Sequence, residues 1–202
     1  MKPNIFMLVV SLNNMDIFEA IFERRSIRRF IDKPIEEEKL ARVLDAARWA
    51  PSVGNLQEWR FIIVRDKQKR AKLSEAALGQ YWINRAFLVI VVLTKDDRIT
   101  RSYGKRGKEL YVKQDAAAAI QNILLAAHSV GLGACWVGSF DESMLRRELH
   151  IPEDVSVHAM IPIGYPAEKP NPPHRINLHH LVYFNQYGKE WEKQGTIFPR
   201  NY

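Results

Sequence analysis

Ile17, Phe18, Ala20, Ile21 and Phe22 recur at helical spacing, and with Asn13 or Asn14 as a cap they predict a helix from about Asp16 to Arg24. A second helix opens on Glu36, Glu37 and Glu38, where negative charge suits the helix dipole. It carries Leu40, Val43, Leu44 and Ala47 on one face and ends before Pro51. Arg60 to Val64 predicts a strand, and Lys67 to Leu78 a charged helix. The unbroken apolar run Phe87 to Leu93 predicts a strand covered on both faces.

Asp115 to Val130 is apolar almost all round and predicts a buried helix, suited to a domain spine or a subunit interface, with Gly131 as its cap. A short strand, Ala134 to Val137, follows. Asp141 then caps a helix over Glu142 to Leu149. Val155 to Ile163 predicts a strand interrupted near its end by Pro162 and closed by Gly164-Tyr165-Pro166. Between these elements Arg98 to Lys113 shows no apolar period. Tyr103, Gly104, Gly107 and Tyr111 stand there among Arg101, Lys105, Arg106 and Lys108, which predicts a solvated loop or a mobile cover over a site. After the short segment Leu178 to Val182, the aromatics Tyr183, Phe184, Tyr187, Trp191, Phe198 and Tyr202 are too many for a free coil and too irregular for a core. Residues 183–202 are therefore expected to dock as a tail, a partner subunit being a natural place.

Length changes this picture little: 202 residues suit one domain, here 15–182, after an extension of residues 1–14. The apolar run Ile5 to Val10 is too short to cross a bilayer, and Met7 or Met15 can serve as the start. Charge adds more. A net +7 suits nucleic acid, an acidic membrane surface or a phosphorylated small molecule. No nucleic-acid motif accompanies the basic stretch, so neither nucleic acid nor membrane is expected as a partner. The single cysteine, Cys135, excludes an intrachain disulfide and fits a reducing cytoplasmic setting. His179 and His180 are expected to face different directions with no third ligand, a surface pair rather than a metal site.

Two stretches carry candidate chemistry. In Arg24-Arg25-Ser26-Ile27-Arg28-Arg29-Phe30, guanidinium forks and a hydroxyl can hold phosphate oxygens together, although a basic helix end would have the same composition. In Pro51-Ser52-Val53-Gly54-Asn55-Leu56-Gln57-Glu58-Trp59, the amides of Asn55 and Gln57 each offer a donor and an acceptor. That can read the edge of a heterocycle or simply shape a turn.

These two stretches, with Gly131-Leu132-Gly133-Ala134-Cys135-Trp136-Val137-Gly138 and Gly164-Tyr165-Pro166 followed by Arg175, resemble in order and spacing the FMN-dependent nitroreductase family over roughly Met15 to Val182. The resemblance implies an α+β fold with a mixed central sheet, an intertwined homodimer, C-terminal segments wrapped over the partner, and FMN at the interface. It places Arg24, Ser26 and Arg175 on the phosphate with Arg25 beside them, and Arg28 near N1 and the C2 carbonyl. Asn55 and Gln57 would meet the ring edge, with Pro51 and Ser52 arriving from the other subunit. The strip Trp136, Val137, Gly138 and Ser139 would lie along the ring, the Gly138 N–H directed at N5. The chain departs from the family pattern where Glu58 replaces the usual proline, and where Pro173 and His174 replace basic residues before Arg175.

The charges agree with this assignment: arginine at both ends complements a phosphate and the negative charge that gathers near N1 on reduction. Hydride chemistry belongs to the cofactor, so no side chain has to act as a nucleophile. The implied reaction is a ping-pong cycle in which NADH or NADPH delivers hydride and a small-molecule acceptor, a nitroaromatic or quinone, then takes the electrons. Reductive dehalogenation or flavin fragmentation on the same fold, and a flavin-binding protein without turnover, are the alternatives.

Overall fold

The apolar run becomes β3 (Leu88–Lys95), the middle strand of a computed structural model that describes residues 15–189. β3 pairs antiparallel with β2 (Trp59–Val64) on one side and β5 (Val155–Pro166) on the other. Beyond β5 lie β1 (Phe30–Ile31) and β4 (Gly133–Ala134), both antiparallel to it. A parallel bridge from Ser26 to Ala134 gives the sheet its mixed character.

Side chains alternate across a strand, so β3 feeds two cores. Leu88, Ile90 and Val92, with Ala159, Ile161 and Ile163, pack beneath α2 (Glu37–Arg48) and α5 (Val112–Ser129). Val89, Val91 and Leu93 meet Leu73 of α3 (Lys67–Ala76), Leu145 of α6 (Glu142–Leu149) and Ile83. The protein is therefore a helix–sheet–helix sandwich, and the expectation of a strand covered on both faces holds for Leu88 to Thr94.

Local sequence sets the helix starts. Asp66 and Asp141 accept the Lys69 and Met144 N–H groups at 2.8 and 3.0 Å, capping α3 and α6. α1 (Ile17–Glu23) is capped by Asp16, which accepts the Phe18 N–H at 3.0 Å, whereas Asn13 and Asn14 lie outside the described residues. Only Ala20 of α1 is buried. Ile17, Phe18, Ile21 and Phe22 are exposed, with the Phe18 and Phe22 rings stacked 6.2 Å apart.

Three expectations are corrected. The basic stretch is not a loop: α4 (Asp97–Arg106) breaks only at Gly104 (φ 57°, ψ −145°), a backbone that glycine alone adopts readily, and runs through a wide π-type turn, Gly107–Tyr111, into α5. Pro162 does not interrupt β5, which continues to Pro166. The strand after Gly131 is shorter than expected, ending at Ala134. Val137 rejoins only by a bridge to Met160.

The last two corrections share one cause. Met160 exchanges both backbone hydrogen bonds with Val137 (2.9 and 3.0 Å), so the backbone groups of residues 160, 162 and 164 point toward β4. Pro162 gives its carbonyl to the Cys135 N–H at 3.4 Å but has no N–H to return. The ladder therefore fails at Cys135 and Trp136, and the chain leaves the sheet there.

The chain separates after Pro170 into two compact units. The second holds a 3₁₀ turn, Leu178–His180, and Tyr183 and Tyr187 with ring centroids 4.8 Å apart. Of the tail aromatics, Trp191, Phe198 and Tyr202 lie outside the described residues, as does the 1–14 extension. Among the described residues no helix is long and apolar enough to cross a membrane.

Candidate functional site

The arginine segment leaves α1 and is stitched onto β4. The Ile27 N–H donates to the Ala134 carbonyl at 3.0 Å beside the Ser26–Ala134 bridge. Gly133 allows this approach, since a Cβ there would stand 2.8 Å from Ile27 Cγ1. The Glu168 carboxylate accepts the N–H groups of Arg28 (2.6 Å) and Arg29 (3.0 Å) through one oxygen, fixing the backbone of both.

The arginines are used differently. Arg25 turns back, its Nη1 donating to the Phe22 and Arg24 carbonyls at 2.6 and 2.9 Å, so it serves the helix end as an ordinary C-terminal cation would. Arg28 is exposed, its Cζ 5.8 Å from the centroid of the Trp82 ring. The buried Cys135 thiol donates to the Trp136 carbonyl at 3.8 Å. Burial pushes that thiol up, while Arg28, Ser26 and Arg24 pull it back.

Next to this segment runs the strip released from the sheet. Trp136 is 41% exposed and Gly138 and Ser139 are exposed, with buried Val137 anchoring them. A Cβ added to Gly138 would meet only the Trp136 indole nitrogen, at 3.8 Å. The backbone there is open to a flat ligand.

The amide-bearing loop is built separately, on α5 and α4. The Val53 N–H donates to both oxygens of buried Asp115 (3.0 and 3.2 Å), and the Ser52 hydroxyl accepts the Gln57 N–H at 3.1 Å. Burial raises the Asp115 pKa against the pull of the Val53 N–H. Gly54, Asn55 and Gln57 all hold φ near +54°. Gln57 Nε2 donates to the Asn55 side-chain and main-chain oxygens at 3.1 and 3.2 Å, leaving both amides exposed at one place. Pro51 is exposed as well.

Each chain therefore carries two prepared surfaces with separate supports. Arg24, Arg25, Ser26 and Arg28 lie with Trp136, Val137, Gly138 and Ser139 around β4, while Pro51, Ser52, Asn55 and Gln57 lie on the loop. Arg175 is exposed in the second compact unit.

Sequence reasoning missed Trp82, Asp115, Arg98 and Glu168. Asp115 alone left a signal, a carboxylate opening an otherwise apolar helix. The histidine pair is also corrected: the His179 and His180 rings lie 3.8 Å apart rather than facing apart. Among the described residues no three metal-ligating side chains converge.

Comparison with known proteins identifies the family. The Nitroreductase family profile matches residues 21–86 and 78–165. A Methanothermobacter thermautotrophicus protein, whose name joins NADH dehydrogenase and NAD(P)H nitroreductase, is 38% identical over 176 residues, 83% of this chain and 88% of its own. A Bacillus subtilis FMN reductase (NAD(P)H) is 31% identical over 188 residues, covering 85% and 76%. Among solved structures, a Vibrio harveyi NADPH:FMN oxidoreductase complexed with NAD+ superposes with a TM-score of 0.77 at 29% identity, covering 85% of this chain and 77% of that one. Profile, relatives and superposition converge: the chain belongs to the nitroreductase family.

Proposed function

We propose that the chain is an FMN-dependent oxidoreductase that takes hydride from NADH or NADPH and passes electrons to a small oxidised acceptor, with nitroaromatics and quinones as the acceptor class. The observation that carries this is the arginine–serine segment stitched to β4 beside the open backbone at Gly138. A phosphate donor set and a flat, uncovered strip adjoin one another, as a phosphorylated planar cofactor requires. FMN, when bound, supplies the hydride and electron transfer.

The residues supply position and charge. Arg24 and Ser26 hold the phosphate. Arg25, bound to the end of α1, braces that turn and adds to its positive field. Arg28, its backbone pinned by Glu168, places a permanent cation near N1 and C2, where it favours electron acceptance. With FMN bound, the Gly138 N–H would serve N5, and Trp136, Val137 and Ser139 would lie along the ring. Asn55 and Gln57 present their amides to the ring edge. Pro51 and Ser52 reach the cofactor of a second copy. The apolar face of α1 and Trp49, 73% exposed, support that homodimer, because such a surface is normally covered. Donor and acceptor use the same open strip in turn, which gives the ping-pong order. On α4 the exposed Arg101 and Lys105 attract nicotinamide phosphates.

The test is an anaerobic absorbance titration of the purified protein with NADH and then NADPH. Flavin bands that bleach with a nicotinamide and recover on adding a quinone or nitroaromatic support the reading. A protein that stays colourless after incubation with FMN refutes it.

A further inference from the structure

The loop bearing Asn55 and Gln57 touches α4 at every second residue. A Cβ on Gly54 would lie 2.7 Å from the Tyr103 hydroxyl, the Leu56 carbonyl accepts from Arg98 Nη2 at 2.5 Å, and the Glu58 carboxylate accepts from Arg98 Nε at 2.9 Å. Residues 55 and 57, in between, are exposed. One face of the loop is thus spent on α4 and the other is free for a ligand.

Glu58 is 2% exposed, so its carboxylate depends on Arg98 for compensation. It stands where a proline would push the preceding residue into extended backbone, away from the φ of +54° that Gln57 adopts. With glutamate there, Gln57 can turn left-handed and reach the Asn55 amide. Arg98, bonded on both sides of Gln57, then holds that turn.

We infer that Glu58 and Arg98 are a positioning pair, setting the turn that aims the Asn55 and Gln57 amides at the flavin ring edge and linking that edge to α4. This rests on the FMN reading above. It implies that the pair governs affinity for the ring and leaves the phosphate contacts alone.

The experiment measures binding of FMN and of riboflavin, which lacks the phosphate, to the flavin-depleted full chain, with visible circular dichroism of the bound flavin and thermal unfolding. R98A, the double variant E58M/R98M and R24A are compared with the wild type. The double variant leaves no orphaned buried charge, so its stability exceeds that of R98A. Its affinity is nevertheless expected to fall about tenfold or more for both ligands, as does that of R98A, with an altered dichroism band, because the guanidinium that grips the turn is gone. R24A should weaken FMN alone. If the double variant binds both ligands within twofold of wild type with an unchanged band, the inference fails while the FMN reading stands. If the wild type binds neither ligand, both fail together.

Discussion

Asp115 gives the sharpest test of how the loop is held. It is 6% exposed in α5, and both of its oxygens accept the Val53 N–H. Replacement by alanine leaves that N–H unpaired and removes a hydrogen bond to a charged acceptor, together about 1.5–3 kcal/mol. Asparagine keeps one acceptor oxygen without the burial penalty of a charge, so Asp115→Asn should fall within about 1 kcal/mol of wild type at neutral pH. The pH dependence follows from linkage. Burial raises the folded pKa above the ordinary 3.8, so between the two values the folded state binds more protons than the unfolded one. The stability contribution of Asp115 is therefore complete below the ordinary value and is lost as pH rises through the folded pKa. Relative to Asp115→Asn, the wild type should weaken from about pH 4 upward and then level off. Urea unfolding of the three proteins from pH 3.5 to 7.5 measures this. An asparagine variant as damaged as the alanine one, or a wild type that gains on asparagine as pH rises, would refute the reasoning.

Gly133→Ala forces a Cβ to within 2.8 Å of Ile27, and should cost about 1–3 kcal/mol in chemical denaturation, against little effect for Gly138→Ala. Burial holds His158 below its ordinary 6.5, against Asp96 and Glu142, which raise it, and together with Lys113, which lowers it. The unfolded chain thus binds the extra proton, and stability is full above about pH 6.5 and lost as pH falls through the folded value. His158→Gln should flatten that fall in thermal melts between pH 7 and 5, without abolishing it, because His128 is also held down by burial. Phe18→Glu, on the exposed face of α1, should convert the proposed dimer to monomer by light scattering. An unchanged mass would remove α1 from the interface.

Much of the fold was legible because burial leaves periodic traces. β3 is apolar on both sides, and the structure covers both; α5, apolar almost all round, fully buries one stripe, from Val112 through Ala116, Ile120 and Ile123 to Ala127, and leaves Ala117, Ala118 and Leu125 half-buried. α4 was not legible: half of its residues are charged, two glycines punctuate the stretch, and its partners, Glu58 and Leu56, lie about forty positions earlier, a distance at which sequence spacing says nothing. The candidate site was partly legible for the opposite reason. Arg24 to Arg28 and the 51–59 loop are local clusters whose composition betrays them. The groups that hold them, Asp115, Arg98 and Glu168, are single charges brought in by tertiary folding, and Glu168 lies 140 residues from Arg28.

Pro162 shows how little is needed to keep a working surface exposed. Were an N–H present at position 162, β4 would gain one ladder bond of about 0.5–1.5 kcal/mol, and Cys135 and Trp136 would settle into the sheet as an extra pair. The fold would be more stable, and the strip at Gly138 would be drawn toward regular pairing. Stability and usefulness thus pull against each other at this residue, and a screen selecting only for heat resistance would be expected to replace the proline and lose activity with it.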